Sequence, residues 1–246
     1  MTDPAVAAMD DDRSRDDTGL AKRKAWVSFI LHTLLIAASI VMLYPLLWML
    51  SASFRPEDEI FSSTSLIPSS ISIDAYIRGW SGLSVDFGTF FWNSLIISVL
   101  SVVGNLMACS LAAFAFAKLE FRGRNFWFAI MLGTLMLPYH VTLIPQYVLF
   151  LNLGWVGTNL PLIVPKFLAV DAFFIFLMVQ FFRGIPRELH EAALMDGCSP
   201  WRIYWKVMLP LSLPVLATAA IFTFIWTWDD FFGPLIYLND IRDYTV

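Results

Sequence analysis

Five apolar runs dominate this chain, at residues 26–50, 90–117, 126–150, 160–182 and 211–228. A helix needs about 20 apolar residues to cross about 30 Å of hydrocarbon, so each run can span a bilayer. Inside lipid every backbone N–H and C=O must be paired internally, which leaves helices as the means for separate runs of this length. The sequence therefore predicts an all-α, polytopic transmembrane helix bundle. Composition removes the alternative of one large soluble core: 58% of residues are hydrophobic and only 15% are charged, against about 25% charged in soluble domains. Pro138, Pro145 and Pro165 fall inside the third and fourth runs. Neighbouring helices can satisfy the carbonyls that proline frees, so these positions predict kinks or helix ends.

Charge divides the chain into segments. Residues 1–25 carry Asp10, Asp11, Asp12, Asp16 and Asp17, then Lys22-Arg23-Lys24, and read as a disordered tail. The run after them is about 25 residues long, beyond the roughly 7–15 residues of a signal-peptide core, and is expected to be a retained first span. With the N-terminus placed in the cytoplasm, the inside segments hold twelve of the sixteen Lys and Arg residues. The outside segments hold Arg55, Arg78, Lys166 and Arg242. Basic residues favour the cytoplasmic side, so this orientation is the expected one. Residues 51–89 then form an extracytoplasmic loop able to hold short helices, and residues 90–246 form a core of four spans. No basic stretch is large enough for nucleic acid. Cys109 lies in an apolar run and Cys198 in a polar loop, so reduced thiols are expected rather than a disulfide. The cysteines and three histidines lack metal-ligand spacing, and no metal or cofactor is expected in this chain.

Residues 183–210 are the segment with the most local information. Pro186 suits the first turn of a helix, and Glu188 and Glu191 sit near its positive end. Gly197 is the expected stop, free to adopt a left-handed conformation. Ser199 then caps a second helix with Pro200 in its first turn. The prediction is helix, glycine turn, helix at the cytoplasmic face. Leu189, Ala193 and Asp196 share one side by their spacing, and Ala192 and Ala193 permit close approach. A short amphipathic helix of this kind fits a groove on a soluble partner.

The pattern Glu191-Ala192-Ala193, three residues, Gly197, nine residues, Val207, one residue, Leu209-Pro210 resembles the EAA loop of bacterial ABC-importer permeases. Val207 replaces the usual isoleucine. Asn93-Ser94-Leu95, the stretch 113–124, Leu137-Pro138 and Ile144-Pro145 are similar to the sugar-type members. Trp228-Asp229-Asp230-Phe231 resembles their Trp-Asn-Glu-Phe pattern, with Asp229 and Asp230 as departures. Over residues 25–246 the chain is similar to the smaller permease subunit of maltose-type carbohydrate importers. The resemblance implies the type I ABC importer permease fold, a bacterial plasma-membrane location and a sixth span, which is expected to be missing beyond Val246. It implies a second permease subunit in a heterodimer, two ATPase subunits that bind ATP and Mg, and an extracytoplasmic binding protein. It makes Glu191, Ala192, Ala193, Asp196, Gly197, Leu209 and Pro210 the ATPase-coupling residues. The permease itself would do no chemistry.

Polar residues within spans default to functional candidates because they are costly there. Asp171 either faces a translocation cavity and hydrogen-bonds sugar hydroxyls or pairs with another span. Lys166 near the outer end can snorkel to the interface. His140 either lines the cavity or packs as a neutral ring, and Asn93 and Asn105 are placed to bond between helices. Asp171, His140 and Asn93 are the substrate-pathway candidates. Trp226, Trp228, Phe231 and Phe232 fit an interfacial aromatic belt. A glycerol-phosphate ester is an alternative cargo, but Lys166 alone is a thin basic lining for it. A passive channel would not use the Glu-Ala-Ala loop. An intramembrane serine protease would need a Gly-x-Ser-x-Gly-type serine, and the sequence has none.

Overall fold

A computed structural model describes residues 4–60, 65–68, 70–82 and 84–246. The first three residues of the expected tail, and positions 61–64, 69 and 83 of the expected outer loop, lie outside the described residues. The chain forms two units, 1–79 and 80–246.

The first unit holds α1 (Pro4–Ala52), α2 (Glu57–Ile60) and α3 (Asp74–Ser81). Helix α1 begins at Pro4, within the stretch 1–25 read as a tail. Pro4 suits a first turn, and Ala5, Ala7 and Ala8 are strong helix formers, so a helix can extend ahead of the apolar run. The part of the outer loop in this unit folds on itself. The Tyr76 hydroxyl donates to Ser53 Oγ at 2.8 Å, and the Arg55 guanidinium donates to the Ser65 carbonyl.

The second unit is a helical bundle around α4 (Phe87–Lys118), which packs on α8 (Ala172–Gly184) and α12 (Leu213–Trp228). The Asp86 carboxylate caps α4 by accepting from the Gly88 N–H at 2.9 Å. The buried face of α4 is rich in small side chains, among them Ser94, Ser98, Ser101, Gly104 and Ser110. Small residues let helix backbones approach closely where lipid removes the hydrophobic drive. At Gly104 a Cβ would sit 2.5 Å from the Phe167 ring, so any side chain there must displace that ring. Asn105 Nδ2 donates to Thr223 Oγ1 at 2.7 Å and ties α4 to α12, as the sequence predicts for this amide.

Among the described residues, three helical stretches can cross a membrane by length and composition: Trp26–Ala52, Phe87–Lys118 and Leu160–Gly184. The count rises to five if two bent pairs are each one span. The first pair is α5 (Arg124–Thr134) and α6 (Tyr139–Asn152), bent by 102°. Pro138 caps α6 there, lacks an N–H and biases Leu137 away from helix. The kink or helix end expected at Pro138 is therefore this break in the third run.

The fourth run is broken too, in a way spacing alone does not predict. Helix α7 (Leu160–Ile163) passes into a 3₁₀ turn at Val164–Leu168. Ala169 then adopts φ 54°, and α8 starts afresh after Asp171. The second bent pair reaches back to Pro200 rather than starting at residue 211. Helix α10 (Pro200–Ile203), a π turn (Tyr204–Met208) and α11 (Leu209–Leu211) meet α12 at 77°. Pro210 has no N–H to give Lys206, and the Leu209 N–H reaches back five residues to the Tyr204 carbonyl. Leu209 and Pro210 thus shape the π turn, and the bend itself falls at Ser212 between α11 and α12.

Candidate functional site

The loop 183–210 forms at the end of the bundle where α4 and α8 finish. Helix α9 (Arg187–Met195) runs from Pro186, and Gly197 takes φ +75° after it. The Gly197 N–H donates to the Leu194 carbonyl and the Cys198 N–H to the Ala193 carbonyl, both at 3.0 Å. These two bonds close a Schellman turn, which requires the left-handed residue that glycine supplies. The Ser199 side chain accepts from the Arg202 N–H at 3.3 Å and caps α10. Each local expectation for the glycine and the serine cap is met.

The faces of α9 differ from the expected stripe. Ala193 is buried against α4, α8 and the π turn as part of the core, so it holds the helix down. Glu191, Ala192, Asp196 and Gly197 are exposed, as are Leu189 at 45%, Leu194 at 47% and Met195 at 88%. Of the two motif residues beyond the turn, Leu209 is half-buried and Pro210 exposed. The short helix therefore offers an acidic residue beside apolar side chains, facing away from its own bundle.

Ties that sequence spacing does not reveal fix this loop to the spans. Lys118 Nζ donates to the Ile185 carbonyl at 2.9 Å, joining the end of α4 to the end of α8. The Arg183 guanidinium lies 5.1 Å from the Phe128 ring centroid. The Tyr204 hydroxyl and Ser110 Oγ, both in the core, are 2.7 Å apart. The Phe114 ring meets His190 at 6.4 Å and Tyr204 at 5.5 Å, so one α4 side chain touches both halves of the loop. Burial, reinforced by the Lys118 charge and opposed by Glu191, lowers the His190 pKa below its usual 6.5. The only signal in the sequence for these ties is a polar or basic residue at a span end, which positive-inside anchoring already explains.

At the other end of α8 lies a cavity of about 720 Å³. Its lining includes Tyr139 and Gln146 from α6, Trp155, Lys166 of the 3₁₀ turn, Asp171, Trp226 of α12, Asp230, and Tyr237 of α13 (Phe232–Tyr237). Helix α8 is about 20 Å long at 1.5 Å per residue, which sets the separation of cavity and loop along its axis. Lys166 Nζ and Asp171 Oδ2 are 2.9 Å apart, with both side chains about three-quarters buried. Asp171 thus pairs within its own broken segment, not with another span, and Lys166 is held there rather than snorkelling.

The three substrate-pathway candidates separate. Asp171 lines the cavity, while His140 and Asn93 are not among its lining residues. The exposed His140 ring packs edge-on against Phe232 at 5.6 Å. The Asn93 amide is spent on the C-terminal segment, donating to the Arg242 carbonyl at 2.7 Å and the Tyr244 carbonyl at 3.1 Å. Tyr237 was invisible as a site residue from sequence. Burial, then the Asp230 charge, raises its phenol pKa, so it stays an O–H donor.

Residues 104–241 match the family described as binding-protein-dependent transport system inner membrane component. The diacetylchitobiose uptake system permease protein NgcG of Streptomyces coelicolor is 33% identical, over 87% of this chain and 70% of that protein. The arabinooligosaccharides transport system permease protein AraQ of Halalkalibacterium halodurans is 36% identical, over 84% and 74%. A chain in the crystal structure of a bacterial ABC transporter involved in the import of the acidic polysaccharide alginate superposes with a TM-score of 0.78. It is 28% identical, with 88% of this chain and 75% of that chain covered. By the match over residues 104–241 and by its likeness to these relatives, this chain belongs to the family of binding-protein-dependent ABC importer permeases, the inner-membrane components of those transporters.

Proposed function

We propose that this permease moves a sugar or oligosaccharide inward, as half of a heterodimer served by two ATPase subunits and an extracytoplasmic binding protein. ATP and Mg belong to the ATPases, since this chain has no Gly-rich phosphate loop with its lysine. The N-terminus and the loop 183–210 lie in the cytoplasm, in line with the distribution of Lys and Arg. The observation that carries the coupling role is the outward face of α9, where Glu191, Ala192, Asp196 and Gly197 are exposed beside Leu189 and Met195. Such a helix docks in a groove of a soluble partner and moves with it as a rigid body. Ala193 serves the same loop by seating α9, and Leu209 and Pro210 by shaping the π turn that leads to α12. The sugar assignment draws on the cargo named for NgcG and AraQ. A glycerol-phosphate ester is the second cargo to compare.

Copurification of the ATPase with wild-type permease and with Glu191→Lys tests the docking face, alongside ATP-dependent uptake. Loss of both in a variant that still inserts is the expected result. Normal uptake by Glu191→Lys removes the docking assignment, and uptake that ignores ATP would favour a passive channel.

A further inference from the structure

Within the importer reading on which this inference rests, we propose that this subunit itself carries a carbohydrate subsite in the cavity beside Asp171. Asp230 and the Tyr237 hydroxyl are its hydroxyl-binding groups, and it prefers uncharged sugars to anionic ones. The cavity's 720 Å³ falls in the range of small-molecule sites, about 300–1,000 Å³.

Tyr237 is 3% exposed, yet its Oη is buried with no hydrogen-bond partner among the described residues. Its ring is fixed by Tyr147, stacked at 6.3 Å, and by Phe150, edge-on at 5.4 Å. A buried hydroxyl without a partner is unfavourable, so a ligand oxygen at this position gains what the protein leaves unmet. Asp230 lines the same cavity, and its Oδ1 accepts the Gly233 N–H at 3.1 Å. Gly233 is what lets the carboxylate lie there, because a Cβ would come within 2.4 Å of Asp230 Oδ2.

The charge pattern selects the ligand. Lys166 is paired with Asp171, so those charges cancel, and Asp230 is the remaining charge among the lining residues. A carboxylate accepts hydrogen bonds from hydroxyls but repels a uronate or phosphate, since like charges brought together in a cavity are destabilising. Trp155 and Trp226 line the same space and offer apolar faces for the C–H surface of a sugar ring. An unpartnered hydroxyl donor, an uncompensated carboxylate and indole faces together match a neutral saccharide.

The test uses the assembled transporter with its binding protein in proteoliposomes. The uptake probes are diacetylchitobiose, arabinotriose and maltotriose as neutral sugars, and trimannuronate and glycerol 3-phosphate as anions. Tyr237→Phe and Asp230→Asn should each raise KM for the transported neutral sugar about fivefold or more. Asp230→Asn alone should raise the anionic-to-neutral uptake ratio, a change that a general folding defect does not produce because it lowers every probe alike. If Asp230→Asn fails to assemble, the KM of Tyr237→Phe decides. An unchanged KM, or an equal loss across all probes, overturns the subsite while leaving the importer reading intact. Wild-type uptake of an anion in preference to every neutral sugar also overturns it. Absence of ATP-dependent uptake of any probe by wild type overturns the importer reading and the subsite with it.

Discussion

Replacing Gly197 separates the backbone demand of the loop from any demand on side-chain space. Gly197 holds φ +75°, and a Cβ built there meets nothing within 4 Å among the described residues. The cost of a side chain is therefore conformational. An L-residue in the left-handed region costs about 1–2 kcal/mol, and asparagine is the side chain that tolerates it best. One to two kcal/mol is roughly a 5- to 30-fold change in the population of the closed turn. Losing that turn releases the Gly197 N–H bond to Leu194 and the Cys198 N–H bond to Ala193. Helix α9 would then be seated by Ala193 and by the His190 ring against Phe114. The series Gly197→Asn, Gly197→Ala and Gly197→Val should fall in that order in thermal stability of the purified permease, with valine worst because it is β-branched. ATP-dependent uptake by the reconstituted complex should follow the same order. A ranking by side-chain volume, with alanine above asparagine, would refute the argument from φ. Asparagine that restores stability but not uptake would place the partner's surface directly on the Gly197 Cα.

Thr223→Val keeps shape but removes the acceptor of the Asn105 amide, and both groups are at most 1% exposed. A loss of about 1 kcal/mol is expected for an interhelical bond in a membrane protein, read as a lower denaturation midpoint; a midpoint equal to wild type counts against this tie. Gly104→Ala should destabilise by driving a methyl into the Phe167 ring, and Gly104→Ala with Phe167→Leu should recover part of the loss. Equal midpoints for the single and double variants would show that the ring is not the obstacle. His190 provides a pH test. Its folded-state pKa lies below the unfolded value, so its contribution is present above about pH 6.5 and is lost as pH falls through that value toward the folded pKa. His190→Gln should flatten the drop in thermal midpoint between pH 7.5 and 5.5; an identical drop in wild type and variant excludes His190 as its source.

Local chemistry explains why parts of this protein can be read directly from its residues. Gly197, Ser199 and Pro200 each act within four residues of themselves, so the turn and the second helix start follow from sequence alone. The apolar runs act through length, and five spans emerge from counting once each bent pair is taken as one. The same counting cannot see a break. The left-handed Ala169 has no glycine to announce it, and the turn of Asp171 back to Lys166 depends on how the 3₁₀ segment lies on α4.

The sequence by itself determined the solvent of this protein, the apolar runs long enough to cross it and the place and turn of the loop 183–210, because hydrophobic length and capping chemistry are properties of neighbours in the chain. Tertiary structure decided what each polar side chain is for. Asn93 was free in the sequence to face a substrate but is taken by carbonyls about 150 positions away. Ala193, placed by spacing on a docking stripe, is buried under its own helix. Tyr237 becomes notable only because its hydroxyl is enclosed beside Asp230 and Asp171 with no partner among the described residues. Burial and pairing arise from segments that meet in space, and no local pattern records which segments those will be.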